Sequence, residues 1–394
     1  MTLRASQGLS PSIREIYLDN SATTQALPEV IDAVSRAMAE NWGNASSVHS
    51  AGERARLCLR EAREQVAAML GASIDDVVFT SGATEANNLV LQSLLTGDYR
   101  GYRLVTTCVE HSSVLAAADQ LHANGIEVVT LAVDENGSID QQDMLDAIKP
   151  GSTLVSIQWA SNETGVLQPI TELAERAREA GALFHTDAVQ AVGKVPINLA
   201  AAPIDFLSLS GHKVHGPLGV GALVGPGVHT IRSLVFGGLQ EQALRPGTEN
   251  IPGIAGLGRA LELRSLRFDS VASTVQAQRD RFETALARSN LVAGINGAST
   301  ERLPNTTSVR FSEVDGEALI LRLDQEGVRC SQGSACTNQK PEPSYVLRAM
   351  GLSEAEAYAS VRFGFSELNT ADEIDSAVES IMRIHAGLAR FAVA

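Results

Sequence analysis

Short apolar segments alternate with amphipathic helical patterns along the first 260 residues of the chain. Each apolar segment has the length of a strand, and most of the intervening segments show helical periodicity. The predicted strands are 77–80, 103–107, 127–133, 153–159, 182–188, 204–209 and 219–224. The predicted helices between and before them are 28–39, 51–70, a segment ending near 95, 113–124, 138–148 and 171–180. This alternation predicts an α/β fold with a mostly parallel central sheet covered by helices.

The pattern changes after Pro246. Two long helical patterns are followed by shorter helices and strands, and Thr370 and Glu373 are spaced as a capping box before the last helix. The predicted elements are helices 252–266, 268–288, 316–326, 343–350 and 372–392, and strands 308–311 and 360–365. We therefore expect a large domain over residues 16–258. A smaller α+β domain is expected from residues 1–15 together with 259–394.

Composition narrows the classes of function. The 394 residues carry a formal net charge of −15, which disfavours broad contact with nucleic acid or an anionic membrane. No apolar run is long enough to span a bilayer, and residues 1–15 lack the apolar core of a signal peptide. The four cysteines show no metal-type spacing. We expect a reduced, cytoplasmic protein that binds neither nucleic acid nor membrane.

Lys213 lies in the stretch Ser208–Pro217, between two buried apolar runs. Its neighbours are small or polar and can pack against a planar anionic ligand. An amine in a partly dry pocket loses basicity and becomes a nucleophile for Schiff-base chemistry. The alternative is a solvated surface lysine.

Polar residues follow several of the predicted strands. In an open α/β sheet the ligand binds along the carboxyl edge of the strands, so these residues are expected to share one site. They are Thr84, His111, Asn162, Asp187 and Lys213.

Each of these residues also has a simpler interpretation. The turn 81–84 is either a phosphate cradle at a helix start or an ordinary capped turn. Asp187 either pairs with a protonated ring nitrogen or serves as a helix cap or structural ion pair. His111 either stacks on a ring and moves protons or is a hydrogen-bonding loop residue. His185 and Asp187 could begin a metal site, but the sequence offers no third ligand.

Two residues in the second half are further candidates. Cys336 lies in a glycine- and serine-rich segment without apolar periodicity, which predicts an exposed, mobile thiol. Cys330 follows a short strand and is expected to pack. Arg362 alternates with apolar residues, so it either binds a substrate carboxylate or forms a salt bridge within a strand.

With these segments identified, the chain resembles the cysteine desulfurases of the NifS/IscS type, which are fold-type-I pyridoxal-phosphate enzymes. The resemblance extends from residue 17 to Arg362. Its most specific parts are Ser210–Lys213, Gly333–Thr337 and Glu342–Gly351. The length of the segment around Cys336 resembles the longer-loop branch of the family.

The resemblance implies pyridoxal 5′-phosphate as cofactor, L-cysteine as substrate and a homodimer. Lys213 would hold the cofactor, His111 would stack on its ring and move protons, and Cys336 would take the sulfur as a persulfide. Arg362 and Asn162 would bind the substrate carboxylate. Thr248 would reach the phosphate of the partner subunit. The residues implied around the cofactor are Ala83, Thr84, Asn162, Asp187, Gln190, Ser210, His212, Lys213 and Thr248.

The resemblance further implies that the persulfide passes to a protein acceptor, an iron–sulfur scaffold or a sulfur carrier. No metal site is expected, although transient ligation of a cluster by Cys336 stays open. Glu367 stands where the family commonly has a basic residue, and Pro246 and Ala45 also depart from its pattern. The alternatives are a selenocysteine lyase or another lyase on this scaffold, and a non-catalytic paralogue that serves as a binding scaffold.

Overall fold

A seven-stranded sheet covered by helices on both faces forms the larger part of the structure. The computed structural model describes residues 15–333 and 342–392. The elements as far as residue 266 are β1 (Ile16–Tyr17), α1 (Pro28–Glu40), α2 (Ser50–Leu70), β2 (Val77–Thr80), α3 (Ala83–Leu91), β3 (Arg103–Thr107), α4 (Ser112–Ala123), β4 (Val128–Leu131), α5 (Gln141–Ala147), β5 (Thr153–Ser156), α6 (Ile170–Glu179), β6 (Leu183–Asp187), β7 (Phe206–Ser210), β8 (Gly221–Val224) and α7 (Ile251–Leu266).

The sheet has the strand order β2-β8-β7-β6-β5-β3-β4. The neighbours from β7 to β4 are parallel, and β8 runs antiparallel to both β7 and β2. The predicted α/β class with a mostly parallel sheet is confirmed. The parallel strands all end at one edge, which brings the turns after them together.

Alternate strand residues pack on opposite faces of this sheet. Val77 and Phe79 join the core beneath α2, α6 and α7, whereas Val78 joins the core beneath α3 and α4. This period of two, with both faces apolar, explains why the strands are continuous apolar runs in the sequence.

The last third of the chain forms a smaller unit around a three-stranded antiparallel sheet. The strand order is β12-β10-β9, and β1 pairs with β11 in a separate parallel ribbon. The elements are α8 (Phe268–Ala287), β9 (Val292–Ile295), β10 (Thr306–Phe311), α9 (Gly316–Gln325), β11 (Val328–Arg329), α10 (Tyr345–Ala349), α11 (Glu354–Tyr358), β12 (Ser360–Gly364) and α12 (Ala371–Ala392).

The division into domains at residues 16 and 258 stays a prediction, and the packing favours slightly different limits. Ile16 and Leu18 pack in the core of the smaller unit. Helix α7 continues to Leu266 and packs in the core of the large unit. We propose limits near residues 19 and 267.

Most predicted elements are present, with shorter bounds. Helix α5 begins at Gln141 rather than Ser138, because the Asp140 side chain accepts from the Gln142 N–H and caps it there. Strand β5 ends at Ser156 rather than Trp159. The predicted capping box is confirmed, since Thr370 and Glu373 each accept from the other's N–H. The short elements β1, β9 and α11 were not predicted.

No helix in the described part of the chain is both long and apolar enough to cross a membrane. Within residues 15–333 and 342–392, no group of three or more His, Cys, Asp or Glu side chains is arranged to hold a metal ion.

Candidate active site

A cavity of about 370 Å³ lies at the carboxyl edge of the parallel strands. This volume falls in the range of about 300–1,000 Å³ that is usual for small-molecule sites. Ten of the residues singled out in the sequence line it: Ala83, Thr84, His111, Asn162, Asp187, Gln190, Ser210, His212, Lys213 and Arg362.

Lys213 ends the short 3₁₀ turn that follows β7, and its side chain is half-buried rather than solvated. Its Nζ donates to two backbone carbonyls, Ser21 O and Ala22 O, each over 2.6 Å. The turn itself is held because Thr24 donates both its N–H and its hydroxyl to His212 O, each over 2.9 Å. The segment between β1 and α1 therefore positions the amine at the cavity wall.

Asp187 is the last residue of β6 and is only 7% exposed. Its Oδ2 accepts from Asn87 Nδ2 over 2.7 Å, and its Oδ1 accepts from the Val189 N–H over 3.1 Å. Asn87 also donates to Ser113 Oγ over 2.9 Å. The carboxylate is thus held by neutral donors, and no ion pair to it is present within the described residues.

His111 caps the start of α4 and faces the cavity. Its Nδ1 accepts from the Ser113 N–H over 3.2 Å and lies 2.8 Å from Ser113 Oγ. Burial lowers the pKa of this imidazole, the charge of Asp187 raises it and the charge of Lys213 lowers it, and the net shift is downward. The ring is therefore neutral at pH 7, with Nε2 free of the capping bond. The two interpretations of His111 from the sequence are therefore compatible. Its Nδ1 makes a local hydrogen bond at the start of α4, and its ring also lies at the cavity.

The start of α3 forms a second wall of the cavity. Gly82 precedes the helix and provides no side-chain cap, so the N–H groups of Ala83 and Thr84 have no acceptor within the helix. A Cβ at Gly221 of β8 would lie 2.7 Å from Gly82 Cα, so a glycine there lets β8 pack directly against this turn. Among the described residues, side chains accept only the preceding N–H groups, from Ser81 to Glu85 Oε2 and from Gly82 to Thr80 Oγ1, and the phosphate cradle stays a prediction.

His212 lies beside this wall, with Nδ1 3.1 Å from Thr23 Oγ1. The pKa of His212 is lowered to about 4, mainly by burial and to a smaller extent by the charges of Lys213 and Lys194. The ring is neutral at pH 7 and can donate one N–H. Free N–H groups, the Thr84 and Ser210 hydroxyls and this ring suit an anion such as a phosphate.

Arg362, on β12 of the smaller unit, reaches into the same cavity and is 2% exposed. Its Nη2 donates to Asp19 Oδ1 over 2.9 Å and its Nη1 to Asn162 O over 2.8 Å. Arg362 Nε and Asn162 Oδ1 are buried and have no hydrogen-bond partner among the described atoms. The strand salt bridge considered from the sequence is present, and an unused donor and acceptor remain beside it.

Thr248 and Cys336 remain among the predicted site residues. Thr248 is exposed in the loop before α7 and does not line the cavity. Cys336 lies outside the described residues. Cys330 packs against the core of the smaller unit, as predicted.

His185 does not share the site with Asp187. Its Nδ1 lies 2.8 Å from Ser156 Oγ and its Nε2 3.0 Å from Ser208 Oγ, so neighbouring strands occupy both ring nitrogens. Burial lowers the pKa of His185 to about 3. The idea that His185 and Asp187 begin a metal site is not supported by this arrangement.

Sequence reasoning missed Asn87, Asp19 and the carbonyls of Ser21 and Ala22. Asn87 is fully buried on a helix whose inner face is otherwise apolar, and a polar residue at such a position was the available signal. Asp19 and Asn20 are adjacent polar residues directly after a short strand. Backbone carbonyls carry no sequence signal of their own.

The fold and the site together define an enzyme of the α/β class with a buried small-molecule site. A lysine amine, a carboxylate and a histidine converge there from the ends of separate strands of the large sheet, and an arginine reaches them from β12. The sequence profile described as "Aminotransferase class-V" matches residues 16–376. The chain therefore belongs to the class-V aminotransferase family.

Within this family, the chain is similar to proteins named for one activity. The chain is 43% identical over 370 residues to a protein named "Cysteine desulfurase" from Trichormus azollae, covering 94% of this chain and 92% of the relative. A solved structure titled "NIFS-LIKE PROTEIN" superposes with a TM-score of 0.88 at 33% identity, covering 95% of this chain and 100% of that one. The structure "SspA in complex with cysteine" gives a TM-score of 0.80 at 35% identity, over 90% of this chain and 99% of that one. The resemblance to cysteine desulfurases is confirmed.

Proposed function

We propose that this protein is a pyridoxal-phosphate-dependent cysteine desulfurase, which takes the sulfur of L-cysteine and leaves L-alanine. The observation that carries the proposal is the convergence of Lys213, Asp187 and Arg362 on one cavity. Relatives at 43% identity over nearly the whole chain bear the name of that activity, which supports the same conclusion.

The residues of the cavity fit the cofactor. The uncapped start of α3, with Thr84, Ser210 and His212, would hold the phosphate. Asp187 would pair with the protonated ring nitrogen, and His111 would lie against the ring. Lys213 would form the covalent bond. The bound cofactor supplies an electron sink for the charge that develops at the substrate Cα.

Arg362 and Asn162 would orient the substrate. Arg362 Nε is a buried donor without a partner among the described atoms, and such a donor costs free energy until an acceptor binds it. A carboxylate supplies that acceptor, and an amine can donate to Asn162 Oδ1. We propose that the amino-acid end of L-cysteine satisfies both.

Proton transfer falls to two groups on opposite sides of the site. With the cofactor and substrate bound, Lys213 Nζ would be the base that removes the substrate Cα proton. Because Nδ1 accepts from the Ser113 N–H, the proton of the neutral His111 ring lies on Nε2. His111 Nε2 would donate that proton near the substrate sulfur and recover one later in the reaction.

Cys336 would take the sulfur. Its thiolate attacks the substrate sulfur, a sulfur–sulfur bond forms, and the substrate Cβ–S bond breaks with its electron pair passing to carbon. Protonation of that carbon gives alanine, and Cys336 is left as a persulfide. We propose that the persulfide is passed to a protein acceptor, an iron–sulfur scaffold or a sulfur carrier, in the cytoplasm.

A homodimer is part of the proposal. The loop between β8 and α7 exposes apolar side chains, with Phe236 at 96% and Leu239 at 85% exposed. Leu218, at the cavity rim, is 74% exposed. Apolar surface of this extent is typical of a protein interface. Thr248, in the same loop, would reach the phosphate site of the partner.

The test is incubation with L-cysteine followed by mass measurement of the peptide that holds Cys336. We expect a gain of one sulfur atom on that peptide and release of alanine, both absent in Lys213→Ala. Cys58→Ser, a matched cysteine variant far along the chain from the proposed thiol, should behave as the wild type. Alanine release without sulfur on Cys336 would contradict the assignment of the acceptor thiol. Selenium release from selenocysteine that survives Cys336→Ser would favour a lyase.

A further inference from the structure

Lys194, which has no part in the reaction proposed above, lies just behind the cavity wall. The chain has only four lysines, at positions 149, 194, 213 and 340. Lys194 follows β6 by seven residues in the sequence, and its Nζ donates to Gln190 Oε1 over 3.0 Å. Within the described part of the chain, Gln190 is the hydrogen-bond acceptor of this amine.

The bond to Lys194 determines which way the Gln190 amide faces. A primary amide has one acceptor oxygen and one donor nitrogen. With Oε1 on Lys194, Gln190 Nε2 donates to Ser21 O over 2.9 Å, and the same carbonyl accepts from Lys213 Nζ over 2.6 Å. The inverted amide would place an oxygen against the Ser21 carbonyl, which is repulsive, and an N–H group against Lys194 Nζ, so that the hydrogen bond donated by Lys194 would be lost.

A neighbouring ion pair, between Arg264 and Glu367, leaves Lys194 to hydrogen-bond with Gln190. Lys194, Arg264 and Glu367 line a second, small cavity of about 30 Å³ next to Lys213, roughly the space of one water molecule. Glu367 Oε1 lies 3.2 Å from Arg264 Nη2, so the acid at this position is engaged by arginine. The replacement of a basic residue by Glu367, noted in the sequence, thereby offsets the charge of Arg264.

We propose that Lys194 is a positioning residue that fixes the Gln190 amide so that its second N–H, the one not donated to Ser21 O, is directed at an anionic ring oxygen in the cavity. The inference rests on the proposed function, in which that oxygen belongs to pyridoxal phosphate. Gln190 is 4% exposed and lines the cavity, so the second hydrogen on Nε2 has this space before it. Without Lys194 one of the two hydrogen bonds that hold this orientation is lost and only the bond to Ser21 O still opposes inversion, which would turn the amide oxygen toward the ring oxygen.

A double-mutant cycle on cofactor affinity tests the inference. Lys194→Met removes the donor and keeps the volume. We expect it to raise the dissociation constant of pyridoxal phosphate about five- to tenfold, the effect of one hydrogen bond. Gln190→Leu should weaken binding by a similar factor, and Lys194→Met should add nothing in the Gln190→Leu background. Lys194→Arg, which keeps a donor, should restore most of the affinity, and Lys149→Met, an exposed matched control, should leave it unchanged.

Two results would overturn the proposal. One is wild-type affinity in Lys194→Met. The other is an equal loss of affinity from Lys194→Met in both backgrounds, which would show that Lys194 acts by charge or packing and not through Gln190. If Lys194→Met does not fold, the same cycle is made with Lys194→Gln, whose shorter side chain leaves the amide of Gln190 without its donor. Alanine release by the wild type, measured in parallel, tests the proposed function separately.

Discussion

Glu110, which directly precedes His111, is a fully buried acid whose ionisation opposes folding. Its Oε1 accepts from Thr107 Oγ1 over 2.8 Å and from the Gln158 N–H over 2.9 Å. Its Oε2 has no partner among the described atoms. Burial raises the pKa of Glu110 to about 8, against the lowering effect of the bonds from Gln158 and Thr107.

The sign of the effect on stability follows from proton binding. The unfolded chain releases this proton near pH 4.5, and the folded protein holds it until about pH 8. Between these values the folded state binds one more proton, so stability falls as pH rises. Each pH unit in the window costs the folded state about 1.4 kcal/mol, so going from pH 5 to pH 8 removes about 4 kcal/mol.

Glu110→Gln removes the titration and keeps an oxygen for the two donors. We expect the free energy of unfolding to fall less steeply with pH in this variant than in the wild type, by about 1.4 kcal/mol per unit between pH 5 and 8. Urea titrations of both proteins at four pH values, under the same cofactor conditions, measure the difference. Glu175→Gln, at an exposed position on α6, should keep the wild-type dependence. Parallel pH curves for the wild type and Glu110→Gln would refute the reasoning.

Two further variants test contacts described above. Asn87→Ala should raise the dissociation constant of pyridoxal phosphate about fivefold, because Asp187 loses a donated hydrogen bond. Absorbance titration measures this affinity. An unchanged dissociation constant would show that Asn87 does not hold the carboxylate in place. Glu241→Gln should destabilise the protein by about 3 kcal/mol, because it removes the buried carboxylate that pairs with the partly buried Arg63. Glu241 accepts from Arg63 Nη1 over 3.0 Å and from the Phe79 N–H over 2.7 Å. Urea unfolding measures the loss of stability. A loss below about 0.5 kcal/mol, which is the scale of a surface substitution, would contradict a stabilising role of the Arg63–Glu241 pair.

The parallel sheet and the edge where its strands end could be predicted because burial on both faces leaves continuous apolar runs. Lys213, Asp187 and His111 were found by their place after those runs. The reversed direction of β8 could not be read from its sequence, because an apolar run has the same composition in either direction. Strands β1 and β11 are two residues long, too short for any period to appear.

The contacts that position the site were less accessible to sequence reasoning. Asp19 and Arg362 are 343 residues apart, and Asn87 and Asp187 are 100 apart. Nothing local in the sequence pairs them: the first pair is made by packing of the two units, and the second by packing of α3 against β6 within the large unit. Lys194 is the intermediate case: it lies four residues from Gln190, yet only the structure shows that the two side chains meet.

The first strand of the protein depends on the last part of the chain. Strand β1 pairs with β11, and Asn20 donates to the carbonyl of Gly364 over 2.9 Å. While the protein is being made on the ribosome, β1 and Asn20 have no partner until residues 328–364 have emerged, although residues 21–24 can already meet Gln190 and His212. The last strand of the seven-stranded sheet ends at Val224, so the segment that holds the Lys213 amine is anchored at its β1 end only late in synthesis.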